Sequence, residues 1–272
     1  MLGRRAVLVS TASTLAFIAV VGVLIALAPG AARVRESFLN WPDIRDSIVG
    51  SLSTPSIVSA FFLNVKMFLI AEVFILVLAL VIAIVRSIPG PVFFPFRALA
   101  VAYIDLFRGV PLILVLYLIG FGFPALELRF FSNQTAVTYG VIAMVLVYSA
   151  YVAEVYRAGI DSVHESQVAA ARSLGLSRWQ SLRFVVLPQA VRRVIPPLLN
   201  DFIGLQKDTA LVSVLGPIEA ARAANIYAAS EFNYSSFIVA AALFVLMTIP
   251  LARFTDYLIA RDRRRRQAGG AR

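Results

Sequence analysis

The chain has 272 residues but no cysteine, a single histidine and only two lysines, Lys66 and Lys207. Without cysteine it has no disulfide framework, no thiolate metal site and no cysteine nucleophile. One histidine, His164, supplies neither a metal cluster nor a nucleophile–base pair, so we expect no catalytic residue and no bound metal. Neither lysine follows a glycine, as the lysine of a nucleotide-binding P-loop must. We therefore expect no ATP hydrolysis and no cofactor in this chain.

Charged residues are also scarce, at 15% of the chain, whereas hydrophobic residues make up 60%. This composition is typical of a membrane protein with several spans and not of a soluble domain. The formal net charge of +10 raises nucleic-acid binding as an alternative. However, nearly all the arginines lie beside apolar segments, which is the distribution that membrane topology requires. We therefore expect contact with lipid and no nucleic-acid partner.

Apolar stretches long enough to cross a bilayer recur along the sequence, since one crossing needs about 20 helical residues. They predict an all-α polytopic membrane protein with six transmembrane helices, at residues 7–28, 57–85, 99–123, 136–152, 195–215 and 237–258. The third stretch is interrupted by Asp105-Leu-Phe-Arg108-Gly109-Val-Pro111. Residues 29–55 are polar, and we expect them to form an external loop that contains a short helix.

The first stretch has an alternative interpretation as a cleaved signal peptide, because Ala26-Leu27-Ala28 resembles a cleavage site. The apolar run is long for a signal peptide, and Pro29 would directly follow the cut. These features favour a retained helix. In either case the next segment begins outside the membrane.

The arginines predict the orientation of the chain. On the external side we expect only Arg33, Arg35, Arg45, Arg129 and Arg222. Apart from Arg108, which belongs to the third apolar stretch, the inner side would hold the remainder, namely Arg4, Arg5, Arg86, Arg97, Arg157, Arg172, Arg178, Arg183, Arg192, Arg193, Arg253, Arg261, Arg263 to Arg266 and Arg272. Both termini are therefore predicted to be cytoplasmic.

A long polar segment, residues 154–193, separates the fourth and fifth apolar stretches on the inner side. Within it, the cluster Ala169-Ala170-Ala171 has high helix propensity, and Gly175 suits the left-handed position that follows a helix. A second helical piece would start near Ser177 and end at Leu187-Pro188. The small alanines leave one helix face flat enough to fit a groove on another protein. A helical hairpin without any partner is the alternative that the residues alone leave open.

Several motifs in order give the chain a resemblance to a known family. The segment Ala171-Arg-Ser-Leu-Gly175 with Val186-Leu-Pro188-Gln189-Ala190 resembles the EAA loop of ATP-binding cassette (ABC) importer permeases. Arg108-Gly109-Val-Pro111-Leu, Tyr151-Val-Ala-Glu154-Val-Tyr-Arg157-Ala-Gly159-Ile and Lys207-Asp208-Thr209-Ala210-Leu-Val-Ser213 look like the permeases of polar amino-acid uptake, the histidine, glutamine and arginine type. These motifs cover residues from about 60 to 256.

The resemblance implies the type I importer fold, an all-helical core of five spans, with one added and peripheral N-terminal helix here. It divides the chain into an N-terminal helix and external loop (1–56), a permease domain (57–258) and a basic tail (259–272). It implies four kinds of partner in a bacterial inner membrane: a pair of ATPase subunits that bind ATP and Mg²⁺, a second permease copy or paralogue, an external amino-acid-binding protein, and membrane lipid.

By the same resemblance, residues 166–175 form the coupling helix that fits a cleft on the ATPase. Its residues would be Ser166, Gln167, Ala169, Ala170, Ala171, Arg172 and Gly175, with Leu187 and Pro188. The chain departs from the motif at one position, because the acidic residue of the EAA sequence falls on Ala169. The charge-assisted contact with the ATPase would then be missing or be supplied by Glu165.

Charged residues at membrane depth are costly and usually face a cavity or a partner. The candidates for a substrate path are Arg108, Glu72, Lys207 and Asp208, together with Gly109 and Pro111, where a helix break would expose backbone groups to a cavity. Arg108 is the candidate for binding an amino-acid carboxylate. Snorkelling or structural ion pairs are the alternative for each charge.

Two other functions compete with the importer. An ion-coupled secondary transporter could use Glu72, Asp105 and Asp208 as a relay, but this leaves the structured inner loop without a role. An intramembrane enzyme lacks both a metal cluster and a nucleophile–base pair. The sequence therefore favours a permease subunit over either alternative.

Overall fold

The computed structural model describes residues 4–51, 54–129 and 131–269, without the side chains of residues 4–8 and 262–269. Over these residues every regular element is helical, which confirms the all-α fold. The helices are α1 (Arg4–Ala26), α2 (Ala31–Phe38), α3 (Trp41–Val49), α4 (Ile57–Ser87), α5 (Phe94–Gly109), α6 (Leu112–Ala125), α7 (Ala136–Asp161), α8 (Glu165–Ser173), α9 (Arg178–Ser181), α10 (Leu187–Asp208), α11 (Ala220–Glu231) and α12 (Ser235–Gly269). The side chains of Arg4, Arg5, Arg263 to Arg266 and Arg272 lie outside the described part.

Four of the described helices are long and apolar enough to cross a membrane: α1, α4, α7 and α12. Helices α5 and α6 qualify only as a pair, and their axes meet at 107°. The predicted third span is therefore two helices at a sharp break. Helix α10 carries Arg192, Arg193, Asp201, Lys207 and Asp208 and is not among the qualifying helices. The count of six spans stays a prediction.

The polar segment 154–193 is more helical than its composition suggested. Helix α7 continues past residue 152 to Asp161, because Arg157 pairs with Glu154 and Asp161 along one helix face. Glu154 also pairs with Arg86 at the end of α4. These ion pairs satisfy charges that the sequence alone assigned to a loop.

Leu187-Pro188 does not end a helix, contrary to the sequence-based expectation. A π-helical turn, Leu182–Val186, runs directly into α10, which begins at Leu187. Proline is tolerated in a first helical turn. The wider π turn bonds the Leu187 N–H to the Leu182 carbonyl, so the backbone passes Pro188 without a break.

Helix α7 lies at the centre of the core and packs against α4, α5, α6 and α10. Two glycines of α7 allow neighbours to approach closely: Gly140 faces Val212 and Gly159 faces Val194. Fully buried side chains such as Ile75, Met144 and Leu205 fill the space between these helices. By contrast, none of the described side chains of α1 is buried, which agrees with the predicted peripheral position.

A buried polar cluster joins α4, the 3₁₀ helix Thr209–Leu215 and α11. The amide of Asn64 donates to Thr209 Oγ1 and to Glu219 Oε2, each over 3.0 Å. Its carbonyl oxygen accepts from the Ala220 N–H at 3.0 Å. Glu219 caps α11 by accepting from the backbone N–H groups of Ala221 and Arg222. Because each of these buried polar groups has partners, the cluster fixes three elements in one geometry.

Residues 31–49 form two short helices, α2 and α3, rather than one, and they pack against α11 and α12. Asn233 Nδ2 donates to the Glu36 carbonyl at 2.9 Å, and the Tyr234 N–H donates to the Ser37 carbonyl at 2.7 Å. Tyr227 donates to Asp43 at 3.1 Å. This predicted external segment is therefore bonded to the helical core.

Candidate functional site: a charged groove joined to an exposed helical loop

The groove begins at the break between α5 and α6. Helix α5 ends at Gly109, Val110 and Pro111 are extended, and α6 begins at Leu112. Pro111 cannot donate a backbone hydrogen bond, and Pro residues force the preceding residue out of the helical region. The interruption that the sequence indicated is confirmed as a helix break.

A cavity of about 460 Å³ lies against this break. It is bounded by the break, α7 and α10, and its lining residues are Arg108, Gly109, Val110, Pro111, Leu112, Val147, Tyr148, Tyr151, Asn200, Asp201, Gly204 and Asp208. Four of the six residues predicted for the substrate path, Arg108, Gly109, Pro111 and Asp208, thus come together in one place. Irregular backbone at membrane depth is tolerated where it lines such a cavity.

Tyrosines of α7 organise the charges of the groove. Tyr148 donates to Asp208 Oδ2 at 2.8 Å. Arg108 lies over the Tyr151 ring with its guanidinium carbon 5.7 Å from the ring centroid, a cation–π distance. The Tyr151 hydroxyl also donates to the Arg108 carbonyl at 3.4 Å.

Gly204 lies between Asp201 and Asp208 on α10, at the point where the Tyr148 hydroxyl comes close to the helix backbone. A Cβ atom at this position would lie 3.1 Å from the Tyr148 hydroxyl, so a side chain here would crowd the bond to Asp208. The sequence analysis missed Gly204, Tyr148, Asn200 and Asp201. The available signal was the spacing of Asp201 and Asp208, since residues seven apart share one helix face.

Asp201 is the second carboxylate in the lining of this cavity. Its Oδ2 atom is buried and has no hydrogen-bond partner in the structure. Asp201 also lines a second cavity of about 440 Å³, which shares Arg108 and Tyr151 with the first. The second cavity continues along α7 and α10 to Ser162 and Arg193. Together the two cavities form a continuous groove from the helix break to the end of α7.

Two predicted path residues lie elsewhere. Glu72 is half-buried on α4, and Lys207 is exposed at the end of α10; neither lines these two cavities. Lys207 and Asp208 lie at a helix irregularity, because α10 changes to a 3₁₀ helix at Thr209. Among the described residues no group of His, Asp or Glu side chains is arranged to hold a metal ion.

The helix predicted within the polar segment 154–193 forms as α8. His164 Nδ1 accepts from the Ser166 N–H and caps its start, a role the sequence analysis did not assign. Gly175 has φ +86°, which confirms the left-handed position predicted after the helix. A capping box between Ser177 and Gln180 then starts α9.

Helix α8 is largely open to its surroundings. Of its residues only Ala171 is buried, whereas Ser166, Gln167, Ala169, Ala170 and Arg172 are exposed. Large apolar side chains beside it are also exposed: Leu174 at 80%, Trp179 at 66% and Phe184 at 63%. Exposed apolar side chains grouped on a polar segment are typical of a protein–protein interface.

The loop is attached directly to the helices that wall the groove. Arg193 of α10 donates to the Ser162 carbonyl at the end of α7. One turn earlier, Gly159 of α7 lies against Val194 of α10. Helices α7 and α10 are therefore held together at the point where the loop that contains α8 leaves and returns.

The sequence matches the family described as "Binding-protein-dependent transport system inner membrane component" over residues 92–264. It is 34% identical over 196 residues to the probable amino-acid permease protein YxeN of Bacillus subtilis. The aligned region covers 72% of this chain and 86% of that protein. It is 34% identical over 183 residues to the probable glutamine ABC transporter permease protein GlnM of the same organism, with coverage of 67% and 82%.

The fold is similar to that in a crystal structure of an amino acid ABC transporter with histidines. The TM-score is 0.69 at 33% sequence identity, over 75% of this chain and 93% of that one. The resemblance that the motifs indicated is thereby confirmed. The chain belongs to the family of binding-protein-dependent transport system inner membrane components, and it is a multi-pass membrane permease.

Proposed function

We propose that this chain is the permease subunit of an ABC importer for amino acids. The groove between the helix break, α7 and α10 is its substrate path, and α8 is its contact with a separate ATPase. One observation carries this proposal: the exposed loop leaves the end of α7 and returns into α10, the two helices that wall the groove. The names of the similar permeases supply the substrate class.

Coupling follows from this connection. A displacement of α8 by an ATPase would act on α7 and α10 together, because Arg193 and the close contact at Gly159 hold these helices to each other. A shift between these packed helices would change the width of the groove between α7 and α10. Such rigid transmission requires no flexible linker, and the loop is helical over most of its length.

The docking surface consists of the exposed face of α8 and the apolar side chains beside it. Ser166, Gln167, Ala169, Ala170 and Arg172 lie on α8 itself. Glu165 precedes Ala169 by one helical turn, so it lies on the same face and can provide the acidic group that Ala169 lacks. Leu187 and Pro188 start α10 and orient the return of the loop.

The remaining partners follow from this assignment. Two ATPase subunits would bind ATP and Mg²⁺, a second permease copy or paralogue would complete the path, and an external binding protein would deliver the amino acid. We propose that both termini and α8 lie on the cytoplasmic side of a bacterial inner membrane, an orientation that the arginine distribution supports. The bonded α2–α3 segment would then face outward.

Cysteine cross-linking tests the contact between α8 and the ATPase. Because this chain has no native cysteine, only the introduced one can react. A cysteine at exposed Ala170 should cross-link to a cysteine in the groove of the ATPase subunit that assembles with this chain. A cysteine at Phe232, which is 88% exposed next to the external segment, is the matched control and should not cross-link. An assembled complex in which position 170 gives no cross-link would refute the docking site.

Uptake measurements in proteoliposomes test the energy source. The complete complex should lose amino-acid uptake with vanadate and keep it with a protonophore, because the driving force is ATP hydrolysis on the partner subunits. The opposite pattern would establish an ion-coupled transporter. In that case the exposed helix α8 would have no role in transport.

A further inference from the structure

We infer that the α2–α3 segment, residues 31–49, lies in the headgroup layer of the membrane and binds anionic phospholipids through Arg33 and Arg35. This inference goes beyond the proposed import function, because it requires only that the chain is a membrane protein. It depends on three observations: how the segment is attached to membrane helices, which of its side chains are exposed, and where its arginines lie.

The segment is held at the level where membrane helices begin and end. It is separated from α1 by residues 27–30 alone, and four residues reach at most about 14 Å. The Asn40 N–H donates to Oγ of Ser235, the first residue of α12, at 3.1 Å. Ser56, which caps the start of α4, donates to the Ile48 carbonyl at 2.6 Å. Since α1, α4 and α12 are each long and apolar enough to cross a membrane, the segment lies at a boundary that these helices share.

Large apolar side chains of the segment are open rather than packed inside the protein. On α2, Val34 and Phe38 are exposed and lie one turn apart on the same face. On α3, Trp41 is 72% exposed and shares a face with the exposed Ile48, seven residues later. Buried Ser47 lies on a different face, so α3 packs against the protein with one side and leaves an apolar side open. A short helix of this kind fits the membrane interface, where its apolar face enters the boundary between headgroups and acyl chains.

Aromatic rings connect this open face to the surface of α12. The Phe38 ring stacks on Tyr234 with the centroids 5.2 Å apart, and Tyr234 stacks on Phe237 in the first turn of α12 at 6.4 Å. Farther along α12, Ile238 and Val245 are exposed and seven residues apart, so they share a face. Tyrosine and tryptophan are enriched at the depth where a membrane meets water. The open face of the segment thus continues into the apolar surface of a membrane-spanning helix, which identifies lipid as its occupant.

The arginines of α2 flank its apolar face. Arg33 and Arg35 precede and follow Val34, about 100° to either side of it around the helix axis. Both are exposed, and neither forms an ion pair with a carboxylate of the described residues. Basic side chains in such positions keep their methylene groups against apolar surroundings and extend their charge to the polar layer. Lipid phosphates lie in that layer and can accept bidentate hydrogen bonds from arginine.

The acidic residues of the segment lie away from this face. Glu36 follows Val34 by two positions, which places it on the opposite side of α2. Asp43 accepts a hydrogen bond from Tyr227 of α11 and, with Asp46, lines a cavity of about 470 Å³ beside that helix. The charge that α2 presents beside its apolar face is therefore positive. This favours anionic headgroups such as phosphatidylglycerol over zwitterionic ones such as phosphatidylcholine.

Nitroxide labels on opposite sides of α2 test the position of the segment. The chain has no native cysteine, so the variants V34C and A32C can be labelled in the permease–ATPase complex in vesicles, with the cysteines of the partner subunits replaced. Both positions are exposed and only two residues apart, which makes A32C the matched control. We expect the label at position 34 to collide mainly with oxygen, which concentrates in lipid. The label at position 32 should collide mainly with a water-soluble nickel complex.

Titration with short-chain lipids tests the arginines. In detergent, an environment-sensitive fluorophore on V34C should respond to phosphatidylglycerol at lower concentration than to phosphatidylcholine with the same acyl chains. One basic residue near an anionic surface raises affinity about five-fold, so R33Q/R35Q should remove a preference of about five- to thirty-fold. R129Q is the control, since Arg129 is exposed in the loop after α6, and it should keep the preference. Glycerol phosphate, the headgroup without acyl chains, should give no response.

Several outcomes would overturn the proposal. Equal exposure of positions 32 and 34 to the nickel complex would show that the segment does not lie in the interface. If phosphatidylcholine acts as strongly as phosphatidylglycerol, or if R33Q/R35Q keeps the preference, the anionic headgroup site is wrong. If position 34 lies in water and becomes shielded only when the external binding protein is added, the surface is a protein docking site instead.

Discussion

Gly159 of α7 leaves the space that Cγ1 of Val194 on α10 occupies, so the backbone of α7 meets a side chain of α10 beside the loop that contains α8. A Cβ atom at position 159 would overlap that methyl group. The contact is therefore as close as these two helices can pack. It lies at the connection between the exposed α8 and the charged groove.

Replacing Gly159 by alanine should separate α7 from α10. Overpacking of a core contact costs about 1–3 kcal/mol, and the displaced helices should transmit the movement of α8 less well. We expect lower substrate-dependent ATPase activity of the reconstituted complex, together with a lower melting temperature. The double variant G159A/V194A restores the space and should recover both; failure to recover would contradict the steric explanation.

Replacing Glu154 by glutamine should destabilise the junction of α4 and α7. Glu154 is 17% exposed and pairs with both Arg86 and Arg157, so its loss leaves two cations without a common anion. We expect a loss of about 2–3 kcal/mol, at the lower end for a buried pair because these groups keep some solvent contact. Thermal unfolding of the purified complex measures this loss.

The exposed pair of Arg253 and Asp256 on α12 supplies the control for that measurement. These side chains are 81% and 69% exposed and their charged atoms are 3.8 Å apart. Exposed pairs contribute about 0–1 kcal/mol, so R253A should leave the melting temperature nearly unchanged. Equal effects of E154Q and R253A would show that the α4–α7 pairing is not stabilising.

Replacing Asn64 by leucine should unfold the polar cluster that joins α4 to α11. Leucine fills a similar space but leaves Glu219 and the Ala220 N–H without the bonds they make to Asn64. Each unsatisfied buried group costs about 1–3 kcal/mol. Expression and melting temperature should both fall sharply. Asn225 is exposed on α11, and N225L, the same substitution outside the cluster, should be tolerated.

Replacing Gly175 by alanine should strain the turn after α8. Its φ is +86°, a conformation that costs an alanine about 1 kcal/mol or more, while no atom lies within 4 Å of the added Cβ. The effect is thus purely one of the backbone. Hydrogen–deuterium exchange should accelerate over residues 165–175. Asparagine tolerates this conformation better, so G175N should exchange more slowly than G175A.

The sequence predicted the parts of the fold and site that depend on local chemistry. The Ala169 to Ala171 cluster with Gly175 predicted α8, and Gly109-Val-Pro111 predicted the helix break, because propensity and backbone restriction act over a few residues. Long polar helices were harder to predict. The extension of α7 to Asp161 depends on ion pairs with Arg86, and the continuous entry into α10 depends on a π turn, neither of which hydropathy records.

The site residues divide in the same way. Arg108 and Asp208 were predicted because charge is conspicuous in an apolar segment. Lys207 and Glu72 carry the same signal but lie outside the groove, since the face on which a residue lies depends on how the helices pack. Asp201 was missed although it is charged. Only the packing of the helices shows that it lines the groove together with Tyr151 and Arg108 and has an unpaired oxygen.

The sequence by itself determined that the chain is helical, lies in a membrane and carries a structured polar loop, because hydropathy and helix propensity are properties of the residues. Its motifs also determined the family. Only the tertiary structure decided that this loop joins the two helices that wall a groove lined by Arg108, Asp201 and Asp208. That arrangement arises from contacts between residues far apart in the chain, such as Tyr148 with Asp208 and Gly159 with Val194, and local sequence carries no record of them.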